Sequence, residues 1–258
     1  MNVDALLLDI DGVLAVSWEP IPGSIDTLSW LRASGVPFRL ITNTTTHTRA
    51  DLATTLIAAG FDVVADEIVT AVVATASYLR AAHPGARVLL LSDGDARDDL
   101  EGVHLVGPAE PADVVVIGGA CEAFTYDALN HIFRLLMEGA ALVGMHRNLY
   151  WRTAEGLDLD GGAYIAGLEQ AAGVTATICG KPAPTYFDAA LRLLGAPASR
   201  VAMVGDDIVN DVFGAQAVGI TGILVKTGKF LPTDLAKGEP DAVLDALADL
   251  PVWLGADR

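Results

Sequence analysis

Short apolar runs alternate along the chain with longer stretches in which apolar residues return every three to four positions. Ala5–Ile10 is apolar apart from Asp9 and is followed by Asp11-Gly12, which predicts a buried central strand ending in a polar turn. Ser24–Ala33 puts Ile25, Leu28 and Leu31 on one helical face, with Gly35 as the stop. Phe38–Thr42 is predicted as the next strand and Arg49–Ala59, closed by Gly60, as the next helix. This rhythm predicts an α/β, doubly wound parallel sheet with functional residues at the carboxyl ends of its strands.

The middle of the chain repeats the rhythm. Helices are expected over Thr70–Ala82, Tyr126–Glu138 and Ala163–Ala172, and strands over Val88–Ser92, Val103–Val106, Val114–Gly118, Ala141–His146 and Thr175–Cys179. That is enough for a separate αβ layer of roughly a hundred residues. The expected division is therefore 1–70 and 178–258 as two parts of one domain, with 71–177 inserted between them. The tail resumes with a helix over Thr185–Leu194, a strand over Val201–Gly205 and a helix from about Asn210. A strand over Gly222–Val225 and a short helix near Ala242–Ala248 complete it.

Acidic residues stand where these buried strands end. Asp9 and Asp11 are two apart, and a carboxylate there is costly to desolvate unless it meets a cation or several donors. A strand-end turn capped by an aspartate is the plain alternative. A calcium loop is excluded, because counting from Asp9 places Val13 and Leu14 where an oxygen ligand and a glycine are required. The second cluster, Gly205-Asp206-Asp207 with Asp211, follows the apolar strand Val201–Val204; by itself it also fits a helix N-terminus. Two such clusters on one sheet edge suit an oxygen-liganded Mg²⁺ that shares its shell with water and phosphate.

Thr42 and Asn43, in Thr42-Asn43-Thr44-Thr45-Thr46, offer hydroxyls and backbone N–H groups at the next strand end, either as an anion site or as a helix cap. Lys181, in Gly180-Lys181-Pro182, follows another predicted strand. A nucleotide P-loop does not explain it, since Thr175 stands where glycine is needed and Pro182 replaces the hydroxyl residue.

Composition narrows the choice of partner. The chain has 258 residues, 52% hydrophobic, with 16 lysines and arginines against 33 acidic residues, a formal charge of −17. Such a field repels nucleic acid and anionic lipid, so neither is an expected partner. No apolar run is long enough to span a bilayer, and no basic stretch precedes the first apolar run. Cys121 and Cys179 fit no zinc spacing and are expected as two buried thiols in a reducing, cytoplasmic setting.

With these residues in place, the chain resembles the haloacid dehalogenase superfamily of phosphatases. The four signature regions occur in order as Asp9-Ile10-Asp11-Gly12, Thr42-Asn43, Lys181 and Gly205-Asp206-Asp207. More narrowly it is similar to the nitrophenylphosphatase-like subfamily with a large inserted cap, on Gly180-Lys181-Pro182-Ala183-Pro184 and Phe124-Thr125-Tyr126. Within that group it looks most like the branch of haloacid dehalogenase-like hydrolase domain-containing proteins and phospholysine phosphohistidine inorganic pyrophosphate phosphatases, on Thr42-Asn43-Thr44-Thr45 and Thr227-Gly228-Lys229-Phe230. Thr44 departs from the asparagine of many members, which loosens any inference about substrate.

The resemblance implies a Rossmann-like core with an inserted α/β cap and a Mg²⁺-dependent phosphatase acting on a small phosphorylated metabolite. Asp9 would be the nucleophile, and Asp11 the general acid and base, with a proton affinity raised by neighbouring carboxylates. Asp9, Asp11 (through its carbonyl) and Asp206 would hold the metal, with Asp211 in support and Asp207 either assisting or capping the helix. Thr42, Asn43 and Lys181 would hold phosphate, with Lys181 also restraining Asp9. Specificity would come from the cap. His146, Arg147, Asn148, Tyr150 and Trp151 are the candidates there, suited to an anionic or planar leaving group or else a loop packing on the cap. Asp158-Leu159-Asp160-Gly161-Gly162 is a second candidate loop. The resemblance also allows a homodimer paired through the cap.

Three other readings remain. A phosphoryl-receiving signalling domain needs its acceptor aspartate on a later strand, whereas Asp51 falls in a predicted helix. A silent phosphate-binding relative has no need of both Asp9 and Asp11. A phosphotransferase or mutase on the same intermediate differs only in whether water is admitted.

Overall fold

A computed structural model describes residues 3–152 and 156–256. The chain divides into two compact units, one of Met1–Thr42, Arg49–Val69 and Lys181–Arg258, the other of Asn43–Thr48 and Thr70–Gly180. The short Asn43–Thr48 segment, which the sequence places with the first unit, is thus counted with the second.

The first unit is built on a six-stranded parallel sheet. Its order is Ala242–Leu244, Thr221–Val225, Val201–Gly205, Ala5–Asp9, Phe38–Ile41 and Ile68–Val69. Ala5–Asp9 is the middle strand at which connections diverge to either side, the switch point where α/β sheets place their ligands. Every residue of that strand is buried, as its unbroken apolar run predicts. Leu6 and Leu8 pack with Leu28 and Leu31 of the Ser24–Ala33 helix and with Leu52 and Leu56 of the Arg49–Ala58 helix.

The second unit carries a five-stranded parallel sheet in the order Thr177–Ile178, Ala141–Gly144, Val114–Ile117, Arg87–Leu91 and His104–Leu105. Its central strand shows two-residue alternation between layers. Val115 and Ile117 join the cluster that includes Ile132, Leu135 and Ile165, whereas Val114 and Val116 join Val72, Ala76 and Leu79. Thr70 and Thr125 cap their helices by accepting the N–H groups of Val73 and Ala128.

Three local expectations are corrected. Ala242–Leu244 is an outer strand rather than the start of a helix. The neighbouring Asp241 carboxylate accepts Gly222 N–H at 2.7 Å, which ties this segment to the edge of the sheet and satisfies its backbone there. Asp158–Gly162 is not a free loop. Leu157–Leu159 pairs antiparallel with Tyr150–Arg152, and Asp160 caps the helix Gly161–Ala172. Cys179 is buried as expected, but Cys121 is only half-buried. Among the described residues no helix is long and apolar enough to cross a membrane.

Candidate active site

The first unit brings four strand ends and one helix entry together. Asp9 closes the central strand, and the chain turns at once: the N–H groups of Val13, Leu14 and Ala15 all return to Ile10 O. The turn projects the Asp11 side chain into solvent while Asp9 stays buried. Lys181, just before the helix Pro184–Leu194, donates from its buried ammonium to Asp9 Oδ1 and to Asp211 Oδ1, each at 2.6 Å. One lysine thus joins the first acidic cluster to the second.

Asp206 and Asp211 flank a wide helical opening. After the strand Val201–Gly205, the segment Ile208–Phe213 winds loosely, with Val212 N–H reaching back five residues to Asp207 O. Asp211 is carried inward, where its Oδ2 accepts Asp207 N–H at 3.1 Å. Asp207 points elsewhere. Its carboxylate accepts the N–H groups of Val209 and Asn210 and the Asn210 side-chain amide, so it caps the helix. Burial works against the Asp207 charge, but the hydrogen bonds from Asn210 and Val209 outweigh it and hold its carboxyl below the usual range.

Carboxylate oxygens of Asp9, Asp206 and Asp211 all lie within 4.8 Å of one another. Burial pushes the Asp9 carboxyl up to about 8; the Asp211 charge adds to this and the Lys181 ammonium pulls back. Burial likewise raises Asp206 to about 6, against the hydrogen bond from Lys229 N–H. For Lys181 burial acts downward, but Asp211 and Asp9 overcome it and hold the ammonium above its ordinary range. Asp206 Oδ2 accepts Lys229 N–H at 2.6 Å, while Asp206 Oδ1 is buried with no hydrogen-bond partner among the described residues. A buried, unpaired carboxylate oxygen beside two further carboxylates fits an oxygen-liganded divalent cation. The space is also guarded: a Cβ at Gly12 or Gly228, both at positive φ, would overlap the Asp206 carboxylate.

Of the residues the sequence singled out, Asp9, Lys181, Asp206 and Asp211 form this cluster directly, and Thr42 ends the adjoining Phe38–Ile41 strand. Three contributors were missed. The Lys229 amide holds Asp206, and Thr227 Oγ1 donates to Gly12 O, so the loop after Thr221–Val225 braces the first acidic turn. Tyr186 is fully buried. Its hydroxyl accepts Thr42 N–H at 3.0 Å and donates to Val69 O at 2.7 Å, which anchors the strand end that carries Thr42. The available signal was a tyrosine on the apolar face of the Pro184–Leu194 helix, since a buried hydroxyl must find partners.

The second unit has its own cleft of about 190 Å³, lined among others by Thr44–Thr46, Asp93, His146, Asn148, Trp151 and Asp160. Asn43 also lines it. Arg147 and Tyr150 do not share that lining: Arg147 makes two hydrogen bonds to the Glu169 carboxylate, at 2.9 and 2.6 Å, and Tyr150 lies opposite Leu159 in the hairpin and is exposed.

Two family models match the chain, a haloacid dehalogenase-like hydrolase over residues 6–106 and a HAD-hydrolase-like one over 178–250. The human haloacid dehalogenase-like hydrolase domain-containing protein 2 is 40% identical over 240 residues, 93% of this chain and 90% of that one. The chain belongs to the haloacid dehalogenase-like hydrolase family, in its phosphatase branch. The human phospholysine phosphohistidine inorganic pyrophosphate phosphatase is 35% identical over 96% of this chain and 91% of its own length. Among solved structures, a p-nitrophenyl phosphatase from Archaeoglobus fulgidus superimposes with a TM-score of 0.87 at 27% identity, covering 97% of this chain and 98% of that one. A 4-nitrophenylphosphatase from Thermotoga maritima gives 0.86 at 30% identity over 96% of each chain. The paired acidic clusters and the bridging lysine are what this haloacid dehalogenase-like chain brings to the chemistry.

Proposed function

We propose that the protein is a Mg²⁺-dependent phosphatase of small phosphomonoesters that works through an aspartyl-phosphate on Asp9. The observation that carries this reading is the grouping of Asp9, Asp206 and Asp211 around a buried, unpaired Asp206 Oδ1, with Lys181 bound to two of the three. Asp9, Asp206 and the Asp11 carbonyl would hold the ion, with the Asp211 carboxylate in support; when bound, Mg²⁺ supplies positive charge that offsets repulsion between the carboxylate and a phosphate dianion.

Lys181 restrains Asp9 Oδ1 and leaves its other oxygen for in-line attack on phosphorus. The new Oδ–P bond forms as the ester P–O bond breaks, and the leaving oxygen takes a proton from Asp11. Water then attacks the aspartyl-phosphate, gives a proton back to Asp11, and releases inorganic phosphate and Asp9. The exposed Asp11 side chain, two residues beyond the nucleophile, is placed to exchange that proton with solvent. Thr42 and Lys181 would receive the phosphoryl oxygens. The acidic surface, the two free thiols and the small size of the second unit's cleft support a reducing compartment such as the cytoplasm and a small metabolite rather than nucleic acid or membrane as the partner.

The test is phosphate release from p-nitrophenyl phosphate with Mg²⁺ and with chelator, for wild type and Asp9→Asn. Metal-dependent release that Asp9→Asn abolishes is expected. Release by the chelated wild type at an equal rate would overturn the reading.

A further inference from the structure

The turn Thr227–Phe230 follows the strand Thr221–Val225 in the first unit and is fixed at both ends. Thr227 Oγ1 donates to Gly12 O, Phe230 N–H closes the turn on Thr227 O at 3.2 Å, and Phe230 packs against the cluster of Ile208, Val212 and Leu224. Between these anchors Gly228, at φ 58°, brings the backbone so close that a Cβ would overlap both Asp206 Oδ2 and Gly12 Cα. The next residue, Lys229, gives its N–H to Asp206 Oδ2, while its side chain is exposed. Among the described residues the Lys229 ammonium makes no hydrogen bond and no ion pair. Lys226 and Lys237, the other exposed lysines, are held by Asp245 at 2.7 Å and Asp234 at 2.8 Å. The Lys229 charge still reaches the site. At Asp206 burial acts upward, and the Lys229 hydrogen bond and charge oppose it; at Asp207 the same charge adds to the hydrogen bonds that outweigh burial.

A phosphate dianion approaching these turns meets repulsion. Asp9, Asp11, Asp206, Asp207 and Asp211 stand on them, the chain as a whole carries −17, and the one buried ammonium, Lys181, is already shared by Asp9 and Asp211. With those five carboxylates ionised, Lys181 and one divalent ion leave the site negative. An ammonium on a flexible stem at the rim attracts a dianion without withdrawing a carboxylate from the metal. The same charge repels a divalent cation, so its effects on substrate and on metal have opposite signs.

We propose that Lys229 captures the phosphate dianion of the substrate at the rim of the acidic cluster, at the expense of affinity for the divalent ion. The inference rests on the phosphatase reading above. Lys229 thereby does by charge what its own backbone N–H cannot, since that group is committed to Asp206.

The experiment uses Lys229→Met, which keeps the N–H that holds Asp206 and removes the charge, beside Lys229→Arg, which keeps the charge. On p-nitrophenyl phosphate at saturating Mg²⁺, Lys229→Met is expected to raise KM about three- to tenfold and to leave kcat within about twofold, the mark of lost uniform binding. The difference from wild type should shrink as ionic strength rises from about 0.05 to about 0.5 M, because an exposed charge is screened. Calorimetric titration with Mg²⁺ and no substrate should give a dissociation constant lower by about twofold or more in Lys229→Met. Lys229→Arg should match wild type in both measurements. An unchanged KM, a KM raised equally at both salt concentrations, or a rise that Lys229→Arg shares would overturn the inference. Unchanged or weaker Mg²⁺ binding in Lys229→Met would overturn it too, the weaker case showing that the side chain supports the Asp206 turn. Binding of inorganic phosphate in the presence of Mg²⁺, followed by calorimetry, reads the same contact without turnover. A wild type inert on p-nitrophenyl phosphate would strike the phosphatase reading, whereas an unaltered phosphate affinity in Lys229→Met would strike this inference alone.

Discussion

The Lys181 ammonium donates to Asp9 Oδ1 at 2.6 Å across 172 positions of sequence, and both side chains are buried. The same ammonium is the counter-charge of Asp211, so its removal leaves two buried carboxylates facing one another. Lys181→Met is expected to cost about 3–5 kcal/mol of stability at pH 7 in chelator, the range for breaking one side of a buried pair. Urea unfolding measures it. Adding Asp211→Asn to Lys181→Met should recover part of the loss, and a double variant no more stable than the single one would show that the cost lies in packing.

Divalent metal should stabilise the fold through the same cluster. Mg²⁺ at about a hundred times its dissociation constant would add about 2.7 kcal/mol if only the native state binds it. For a chain of this size that corresponds to a rise in Tm of several degrees. Thermal melts with Mg²⁺ and with EDTA should show the rise in wild type and lose most of it in Asp206→Asn, since Asp206 Oδ1 has no other partner among the described residues. A rise of the same size in the variant would place the ion elsewhere.

His146 sets a pH dependence in the second unit. Burial holds its folded proton affinity below the ordinary value of 6.5, so between the two values the unfolded ring binds more protons than the native one. Its contribution is therefore complete above about pH 6.5 and is lost as pH falls through that point toward the folded value. The stability difference between wild type and His146→Gln, followed by denaturant titration, should be level above neutrality and shrink between pH 6.5 and 5. A level difference across that range would mean that the native ring binds protons as readily as the unfolded one, against the lowering by burial.

Tyr186 supports the strand end that carries Thr42. Tyr186→Phe removes the hydroxyl that accepts Thr42 N–H and donates to Val69 O, leaving Val69 O without that donor in a buried site. Thr42 N–H still donates to Val69 O at 3.0 Å, so neither group is orphaned and a loss of about 0.5–1.5 kcal/mol is expected from denaturant unfolding. If the loss in phosphatase activity also appears as a higher KM with little change in kcat, Tyr186 acts by positioning Thr42. Wild-type stability in the variant would show that water replaces the hydroxyl.

Ala5–Asp9, Val201–Gly205 and the Ser24–Ala33 helix lie where the apolar pattern puts them, because burial on both faces, or on one helical stripe, writes itself into consecutive residues. The edge strand Ala242–Leu244 and the hairpin Tyr150–Arg152 with Leu157–Leu159 carry no such record. Val243, Tyr150, Leu157 and Leu159 are exposed, so their conformation is decided by hydrogen bonds to distant partners rather than by their own pattern.

The sequence by itself determined the α/β class, the strand-end positions of Asp9, Thr42 and Asp206, and the family, because each rests on local order along the chain. Only the tertiary structure decided that Lys181, besides restraining Asp9, also binds Asp211, that Asp207 caps a helix, and that Arg147 turns to Glu169 and leaves its neighbours to line a cleft without it. A side chain's partner is the nearest group of suitable charge in space. Periodicity along a chain says which face a residue occupies, not which of several acids its cation will meet there.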